Sequence, residues 1–139
     1  MKIENHMLSI NANGNTDIHD ITIEIQNLIV SSNISIGNIT IFTPSSTSAI
    51  TTMEFESGCI QDFQDHFKAV ANPNEFYKHN ERWHDGNGHS HLCAALIGPS
   101  ISVPVINKEL HLGMWQQIVF VDFDNKPRQR KINVQIIGQ

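Results

Sequence analysis

The sequence has few cysteines, no long apolar run and no excess of basic residues. Cys59 and Cys93 are the only cysteines among 139 residues, too few for a disulfide framework or a thiol-rich zinc site. We predict that both are small buried side chains. No segment approaches the roughly 18 apolar residues of a membrane-spanning helix. Residues 1–6 lack the apolar core of a signal peptide, so a cytoplasmic location is expected.

The charge balance bears on possible partners. Nine Lys and Arg residues against 14 Asp and Glu give a formal net charge of −5 at pH 7. Nucleic acids and anionic membrane surfaces attract positive fields, so neither is expected as a partner. The length and a hydrophobic content of 40% suit one domain over residues 1–139 with a single core. No nucleophile elbow, Walker loop or dinucleotide fingerprint is present, which excludes those enzyme classes.

The first third of the chain predicts a strand and then a helix. The strand is expected over residues 3–11. Asp17 has the character of a helix N-cap, and apolar residues follow at helical spacing: Ile18, Ile21, Ile25, Leu28 and Ile29. Ile21, Ile23 and Ile25 also alternate as in a strand. The length and the cap favour a helix that ends at residues 31–33.

The middle of the chain predicts two strands and a second helix. Residues 35–43 and 47–54 are rich in Ile and Thr and flank residues 44–46, which suggests paired strands around a tight connection. The helix is expected over about residues 56–71, because its Phe, Val and Ala residues share one face and residues 72–74 (Asn-Pro-Asn) would stop it.

The last part of the chain predicts a loop, a short helix and three strands. Residues 79–91 are polar and contain two glycines, so a loop is expected, followed by a helix over residues 91–97. Strands are expected over residues 100–106, 115–124 and 128–137, with a hairpin turn at 125–127. These elements predict an α+β fold, a mostly antiparallel sheet with two to three helices packed against it.

Histidines provide the first candidate site. His79, His84, His89 and His91 fall within 13 residues, whereas His6, His19, His66 and His111 are scattered and expected at the surface. On an extended backbone, His89 and His91 would share one face and could bind a zinc-like ion or transfer protons. Glycines nearby would let His84 join them as a third ligand, with Asp85 orienting a ring N–H. Solvated loop histidines are the alternative.

Two arginines provide the second candidate site. Arg128 and Arg130 would project from one strand face, where a pair of guanidinium groups could bind phosphate or carboxylate. An exposed pairing with Asp122 or Asp124 is the alternative, and the sequence alone favours it. Small hydroxyls of a phosphate site are available at Ser45, Ser46, Thr47 and Ser48, which equally suit a turn. Trp115 could line a pocket or belong to the core.

Several blocks of the sequence carry a family resemblance. They are the segments 84–92 (HDGNGHSHL), 96–100 (LIGPS), 110–116 (LHLGMWQ) and 127–130 (PRQR), with Gly37, the Ser/Thr run before Ala49, and Glu54 as further matching elements. In these blocks the chain resembles the YjbQ-like (UPF0047) family, described as secondary thiamine-phosphate synthases. The resemblance implies a homotrimer and a histidine-lined site that can hold a metal.

On this resemblance, residue roles can be carried over to matching positions. Taken together with the spacing arguments above, it leads us to expect catalytic roles for His89, His91 and Glu54, a metal on His84, His89 and His91, and substrate contacts from Arg128, Arg130, Ser45, Ser46, Thr47 and Trp115. The sequence departs from the family pattern twice. Ser45 stands where the family has a histidine, and the segment before Arg128 is one residue longer.

Two functions follow as hypotheses. The first is a thiamine-phosphate-synthase-like enzyme for phosphorylated heterocycles, with a zinc-like ion on the histidines or Mg²⁺ bound together with a diphosphate substrate. Histidine suits Mg²⁺ poorly, because Mg²⁺ prefers oxygen ligands. The second is a non-catalytic trimer that binds a metal or a small anionic metabolite.

Overall fold

The computed structural model describes residues 1–139, which form eight strands and four helices. The strands are β1 (Lys2–Ala12), β2 (Asp17–Asp20), β3 (Gly37–Phe42), β4 (Ser48–Met53), β5 (Ser100–Ile106), β6 (Glu109–Leu110), β7 (Gln117–Asp122) and β8 (Arg128–Gly138). The helices are α1 (Thr22–Ser31), α2 (Ser57–Val70), α3 (Lys78–Trp83) and α4 (Gly88–Ile97). The longest helix, α2, has 14 residues, and no helix qualifies as a candidate membrane span.

The strands form two sheets in which all neighbouring strands are antiparallel. One sheet has five strands in the order β1-β8-β3-β5-β6, and the other has three in the order β2-β7-β4. The predicted α+β class with mostly antiparallel pairing is therefore confirmed. The helix count rises to four because α3 lies where a loop was expected.

The three-stranded sheet is the middle layer of the molecule, and β7 shows this most clearly. Ile118 and Phe120 belong to the core cluster shared with the five-stranded sheet and α1. Val119 and Val121 belong to a second cluster that includes residues of α4, with α2 side chains packed against it. Burial on both faces explains why β7 reads as a continuous apolar run rather than an alternating one.

The helix predicted to begin at Asp17 begins later. Asp17–Asp20 is strand β2, paired with β7, and α1 begins at Thr22. Asp20 supports that start, because its Oδ1 accepts hydrogen bonds from the backbone N–H and the hydroxyl of Thr22. The Asp17 carboxylate instead accepts bonds from the Asn13 N–H and the His19 ring. The helical assignment of residues 22–31 was right and its cap was wrong.

Two predicted hairpins are instead crossings between the sheets. β3 pairs with β5 and β8, whereas β4 pairs with β7, so residues 43–47 carry the chain from the five-stranded to the three-stranded sheet. Residues 123–127 carry it back from β7 to β8. The two crossings are neighbours, since Ser48 is in register with Asp122 and the Phe123 N–H donates to the Thr47 carbonyl at 2.9 Å.

The other boundaries agree better with expectation. α2 ends at Val70, just before Asn72 and Pro73, and β8 buries Ile132, Val134 and Ile136 on one face. Cys93 is buried as predicted, while Cys59 is half-buried. Residues 79–91 were wrongly assigned as a loop, because they contain most of α3 and the first turn of α4.

Candidate active site

A polar cavity of about 470 Å³ lies where the two sheet crossings meet helices α3 and α4. Its size falls within the range of small-molecule sites. The lining residues are Pro44, Ser45, Ser46, Thr47, His79, Trp83, Asp85, Asn87, His91, Asp124, Arg128 and Arg130. A larger concavity of about 560 Å³ on the outer face of the five-stranded sheet has neither an arginine nor a carboxylate in its lining. The charged and hydrogen-bonding side chains of the smaller cavity therefore make it the candidate functional site.

Arg130 forms the floor of this cavity. Even-numbered residues of β7 and β8 face each other across the two sheets, which places Arg130 against Asp122. Its Nε donates to Asp122 Oδ2 at 2.7 Å, and Nη2 donates to Asp122 Oδ1 at 3.1 Å and to Thr47 Oγ1 at 2.8 Å. Nη1 donates to Ser45 Oγ at 3.0 Å. With 12% of the Arg130 side chain exposed and none of Asp122, this is an internal ion pair.

Asp124 joins the two crossings and helix α4. Its carboxylate accepts hydrogen bonds from the Arg128 Nε at 2.6 Å, the Thr47 hydroxyl at 3.0 Å and the Asn87 amide at 3.3 Å. Burial alone would raise the pKa of Asp124, but these bonds and one from the Asn125 N–H outweigh it, so the pKa falls from 3.8 to about 2. Asp124 is therefore ionised across the physiological range.

Arg128 is held at one end only. Its Nε is bound to Asp124, while Nη1 and Nη2 have no partner within the chain. The residue is exposed and lines the cavity. The predicted pairing of the arginines with Asp122 and Asp124 is found in the structure, but Arg130 is internal rather than an exposed charge, and only Arg128 has two terminal nitrogens without a partner.

Two histidines from different helices meet in this cavity. The rings of His79, on α3, and His91, on α4, have centroids 4.3 Å apart, and His79 Nδ1 lies 3.7 Å from Asp85 Oδ1. Burial lowers the pKa of His91, and His79 lowers it further against the attraction of Asp124 and Asp85. His91 is therefore a neutral imidazole at pH 7, suited to accept a proton.

His89 lies apart from His91, contrary to expectation. Positions two apart on a helix point about 200° from each other, whereas an extended chain would align them. His89 lines a separate small cavity of about 60 Å³ together with Cys93 and Thr16. It is 7% exposed, its Nδ1 has no partner, and burial lowers its pKa against the attraction of Asp124.

The predicted metal set of His84, His89 and His91 does not fit the structure. His84 is exposed, ends α3 in the left-handed conformation with φ 58°, and lines neither cavity. No group of three or more His, Cys, Asp or Glu side chains is arranged to hold a metal ion. The histidine that does adjoin His91 is His79, which the spacing argument placed outside the ligand set.

Two other expected site residues lie at the wrong end of the three-stranded sheet. Ser48 and Asp122 mark the cavity end, and Met53 and Gln117 mark the opposite end. Glu54 follows Met53 and is exposed, roughly 20 Å along the strand from Ser48. Trp115 precedes Gln117 and is 69% exposed. Neither residue lines the cavity.

Sequence reasoning missed Trp83 and Asn87, which do line the cavity. Only the helical character of residues 78–83 could have indicated that Trp83 ends a helix beside the histidines. Of the scattered histidines, His66 and His111 are exposed as predicted, and His6 and His19 are half-buried.

The chain is similar in sequence to other proteins over most of its length. The chain is 35% identical over 139 residues to a UPF0047 protein of Methanothermobacter thermautotrophicus, covering 100% of this chain and 95% of the relative. It is 34% identical over 121 residues to a UPF0047 protein of Archaeoglobus fulgidus, covering 87% and 91% of the two chains.

Solved structures of other proteins have the same fold as this chain. A YbjQ-like protein of unknown function from Sulfolobus solfataricus P2 superposes with a TM-score of 0.94 at 31% identity, covering 99% of each chain. A hypothetical protein from Aeropyrum pernix K1 has a TM-score of 0.91 at 27% identity, covering 98% of this chain and 99% of the other. Residues 6–139 match the family described as UPF0047 protein YjbQ-like, and the chain belongs to that family.

Proposed function

We propose that the chain binds a phosphorylated heterocycle in this cavity and catalyses a reaction like that of thiamine-phosphate synthases. The observation that carries the proposal is the state of Arg128, whose Nη1 and Nη2 have no partner in the chain while Asp124 holds its Nε. A guanidinium fixed at one edge presents its other donors in a constant direction, which suits two-point binding of a phosphate.

Hydroxyl groups of the first sheet crossing add further donors. Ser46 has no hydrogen-bond partner within the chain, and Ser45 accepts bonds from Arg130 and from the Thr47 N–H, which leaves only a long contact of 3.5 Å to Thr47 Oγ1 for its own proton. The two arginines are balanced by Asp122 and Asp124. Because the floor carries no net charge, phosphate affinity would come from these oriented donors rather than from a positive field.

His91 and His79 are the proton-handling groups in this proposal. A neutral imidazole carries one ring N–H, which His91 can donate to an oxygen of the departing diphosphate, and His79 lies beside it with its Nδ1 3.7 Å from Asp85 Oδ1. His89 has no such role, because it lines the other cavity.

The synthase reaction makes modest demands on the protein. A bond forms between the ring nitrogen of a thiazole phosphate and the methylene carbon of a pyrimidine, while the bond from that carbon to a diphosphate breaks and the diphosphate departs with the electron pair. Arg128 would hold the thiazole phosphate, the Ser45–Ser46 hydroxyls would stabilise the departing charge, and the cavity walls would align the two rings. Mg²⁺ would enter with the diphosphate, since no group of carboxylates in the chain is arranged to hold the ion by itself.

A homotrimer in the cytoplasm is part of the same proposal. It is supported by the outer face of the five-stranded sheet, where Ile3 pairs in register with Ile137, and Met7 and Phe42 flank Asn133. These apolar side chains are all exposed in the single chain, so a surface for subunit contact is available. Light scattering should give about three times 15.7 kDa, and a monomer mass at micromolar concentration would contradict the trimer.

Calorimetric titration with a phosphorylated thiazole tests the binding site. Arg128→Lys keeps the charge but loses the planar pair of donors, so affinity should fall about tenfold or more with little change in Tm. Lys131→Arg, on the neighbouring exposed position of β8, is the matched control and should change neither quantity. Equal affinities for wild type and Arg128→Lys would remove Arg128 from the site. Binding without turnover of the diphosphate and thiazole phosphate pair would favour a non-catalytic anion-binding protein.

A further inference from the structure

Trp83 is the one large apolar side chain in the lining of an otherwise polar cavity. It is the last residue of α3 and is 62% exposed. His84 follows in the left-handed conformation, and its N–H closes the helix on the Asn80 carbonyl at 2.8 Å. An exposed tryptophan beside buried ion pairs and imidazoles is not accounted for by the packing of this chain.

We infer that Trp83 selects the ligand of this cavity by stacking against a planar heteroaromatic ring whose phosphate group is bound by Arg128. The inference rests on the proposed function and adds to it the residue that recognises the ring. A cavity of about 470 Å³ whose lining combines hydrogen-bond donors with a single large aromatic side chain suits a ligand with these two parts. Phosphates without a ring would use the donors and leave the indole unused.

Arg82 helps to prepare the indole for this role. Its guanidinium carbon lies 5.4 Å from the centroid of the Trp83 ring, a cation–π contact. Arg82 does not line the cavity, so a ligand ring stacked from the cavity side need not displace it. The contact restrains the orientation of the indole before a ligand arrives, which reduces the ordering cost of binding.

Trp115 makes a sharp comparison possible. The chain has two tryptophans, both largely exposed, but Trp115 lies at the far end of the three-stranded sheet from the cavity. In a Trp115→Phe background, Trp83 is the sole tryptophan and its fluorescence reports on stacking directly. Trp115→Phe alone should leave the affinity of the cavity for its ligands unchanged.

The experiment titrates thiamine monophosphate, which carries rings, and glycerol 3-phosphate, which does not, by calorimetry. Trp83→Ala should lower the affinity for thiamine monophosphate about tenfold and leave that for glycerol 3-phosphate unchanged. Trp83→Phe should retain most of the affinity, and thiamine monophosphate should quench Trp83 fluorescence in the Trp115→Phe protein. Arg128→Lys should weaken both ligands, because it acts on the phosphate.

Three results would overturn the inference. If Trp83→Ala leaves both affinities intact, Trp83 does not recognise the ring, although the phosphate site stands. If Trp83→Ala instead changes the mass measured by light scattering, the indole is a subunit contact. If wild-type protein binds neither probe, the proposed function fails, and the role of Trp83 fails with it.

Discussion

Arg130 and Asp122 form a two-point ion pair that ties the five-stranded sheet to the three-stranded sheet, with N–O distances of 2.7 and 3.1 Å. Arg130 is the third residue of β8, and Asp122 is the last residue of β7. The segment between them crosses from one sheet to the other, so this pair fixes the geometry of the crossing as well as the cavity floor.

Removing Arg130 should therefore destabilise the protein strongly. Arg130→Ala leaves the fully buried Asp122 carboxylate without its main partner, and we expect a loss of about 3–5 kcal/mol in the free energy of unfolding. Arg128→Ala is the control. Its side chain is 38% exposed and Asp124 keeps other donors, so a much smaller loss is expected. Urea unfolding measures both, and similar losses would contradict the assignment of Arg130 as the internal partner.

Acid should weaken the fold through Asp124. Its pKa is lowered to about 2 in the folded state from 3.8, so the unfolded chain binds more protons in this interval. The stability contributed by ionised Asp124 is fully present above about pH 4 and is lost as the pH falls towards 2. Asp124→Asn should be less stable than wild type at neutral pH and should show a shallower loss of stability over this window. An unchanged acid slope in urea unfolding at several pH values would count against the hydrogen-bond network described for Asp124.

Replacing His79 or His91, which line the cavity, should lower kcat, whereas replacing His89 should not. His91→Gln and His79→Gln remove a proton-transfer group and should lower kcat about 10²-fold or more, with ligand affinity nearly unchanged. His89→Gln is the control, because His89 lines the other cavity and does not touch the ligand site. The assay follows diphosphate release from the pyrimidine diphosphate in the presence of a thiazole phosphate. A wild-type rate in the His79→Gln, His91→Gln double variant would refute their role.

Adding one histidine beside His79 and His91 should create a three-histidine metal site. Ser45 lines the cavity with His79 and His91, and three imidazoles form the ligand set of an open zinc site. Wild-type protein should bind Zn²⁺ weakly, and Ser45→His should bind it at least about tenfold more tightly, with affinity falling below about pH 6.5 as the imidazoles protonate. Ser46→His is the matched control. Competition with a zinc indicator dye measures all three, and equal affinities would show that position 45 does not converge on the histidine pair.

The sequence by itself determined the elements whose pattern is local. The alternation of Ile132, Val134 and Ile136 predicted β8, and the apolar run within residues 115–124 predicted β7. The apolar face of residues 56–71 with Pro73 beyond it predicted α2. Each signal depends on residues a few positions apart, because side-chain periodicity follows directly from backbone geometry. The α+β class follows from the order of these elements.

The prediction from local pattern was wrong at the histidines, because the pattern does not fix the backbone conformation there. Glycines at 86 and 88 suggested a loop, yet α4 begins at Gly88, which packs where a side chain would collide with Tyr77. Once the backbone is helical, His89 and His91 point apart, and His91 meets a histidine 12 positions earlier on another helix. The spacing of the residues was correct, but its meaning depended on the backbone conformation.

Only the tertiary structure decided which strands pair, and with that the site. Short connections usually join neighbouring strands of one sheet, so residues 44–46 and 125–127 were expected to be hairpin turns. β4 and β7 instead pair with each other in the second sheet, which brings Ser45 and Thr47 against Arg130, more than 80 positions away. Burying both faces of β7 between the larger sheet and the helices favours this pairing over two separate hairpins. That gain arises only when all the layers assemble, and no short stretch of sequence encodes it.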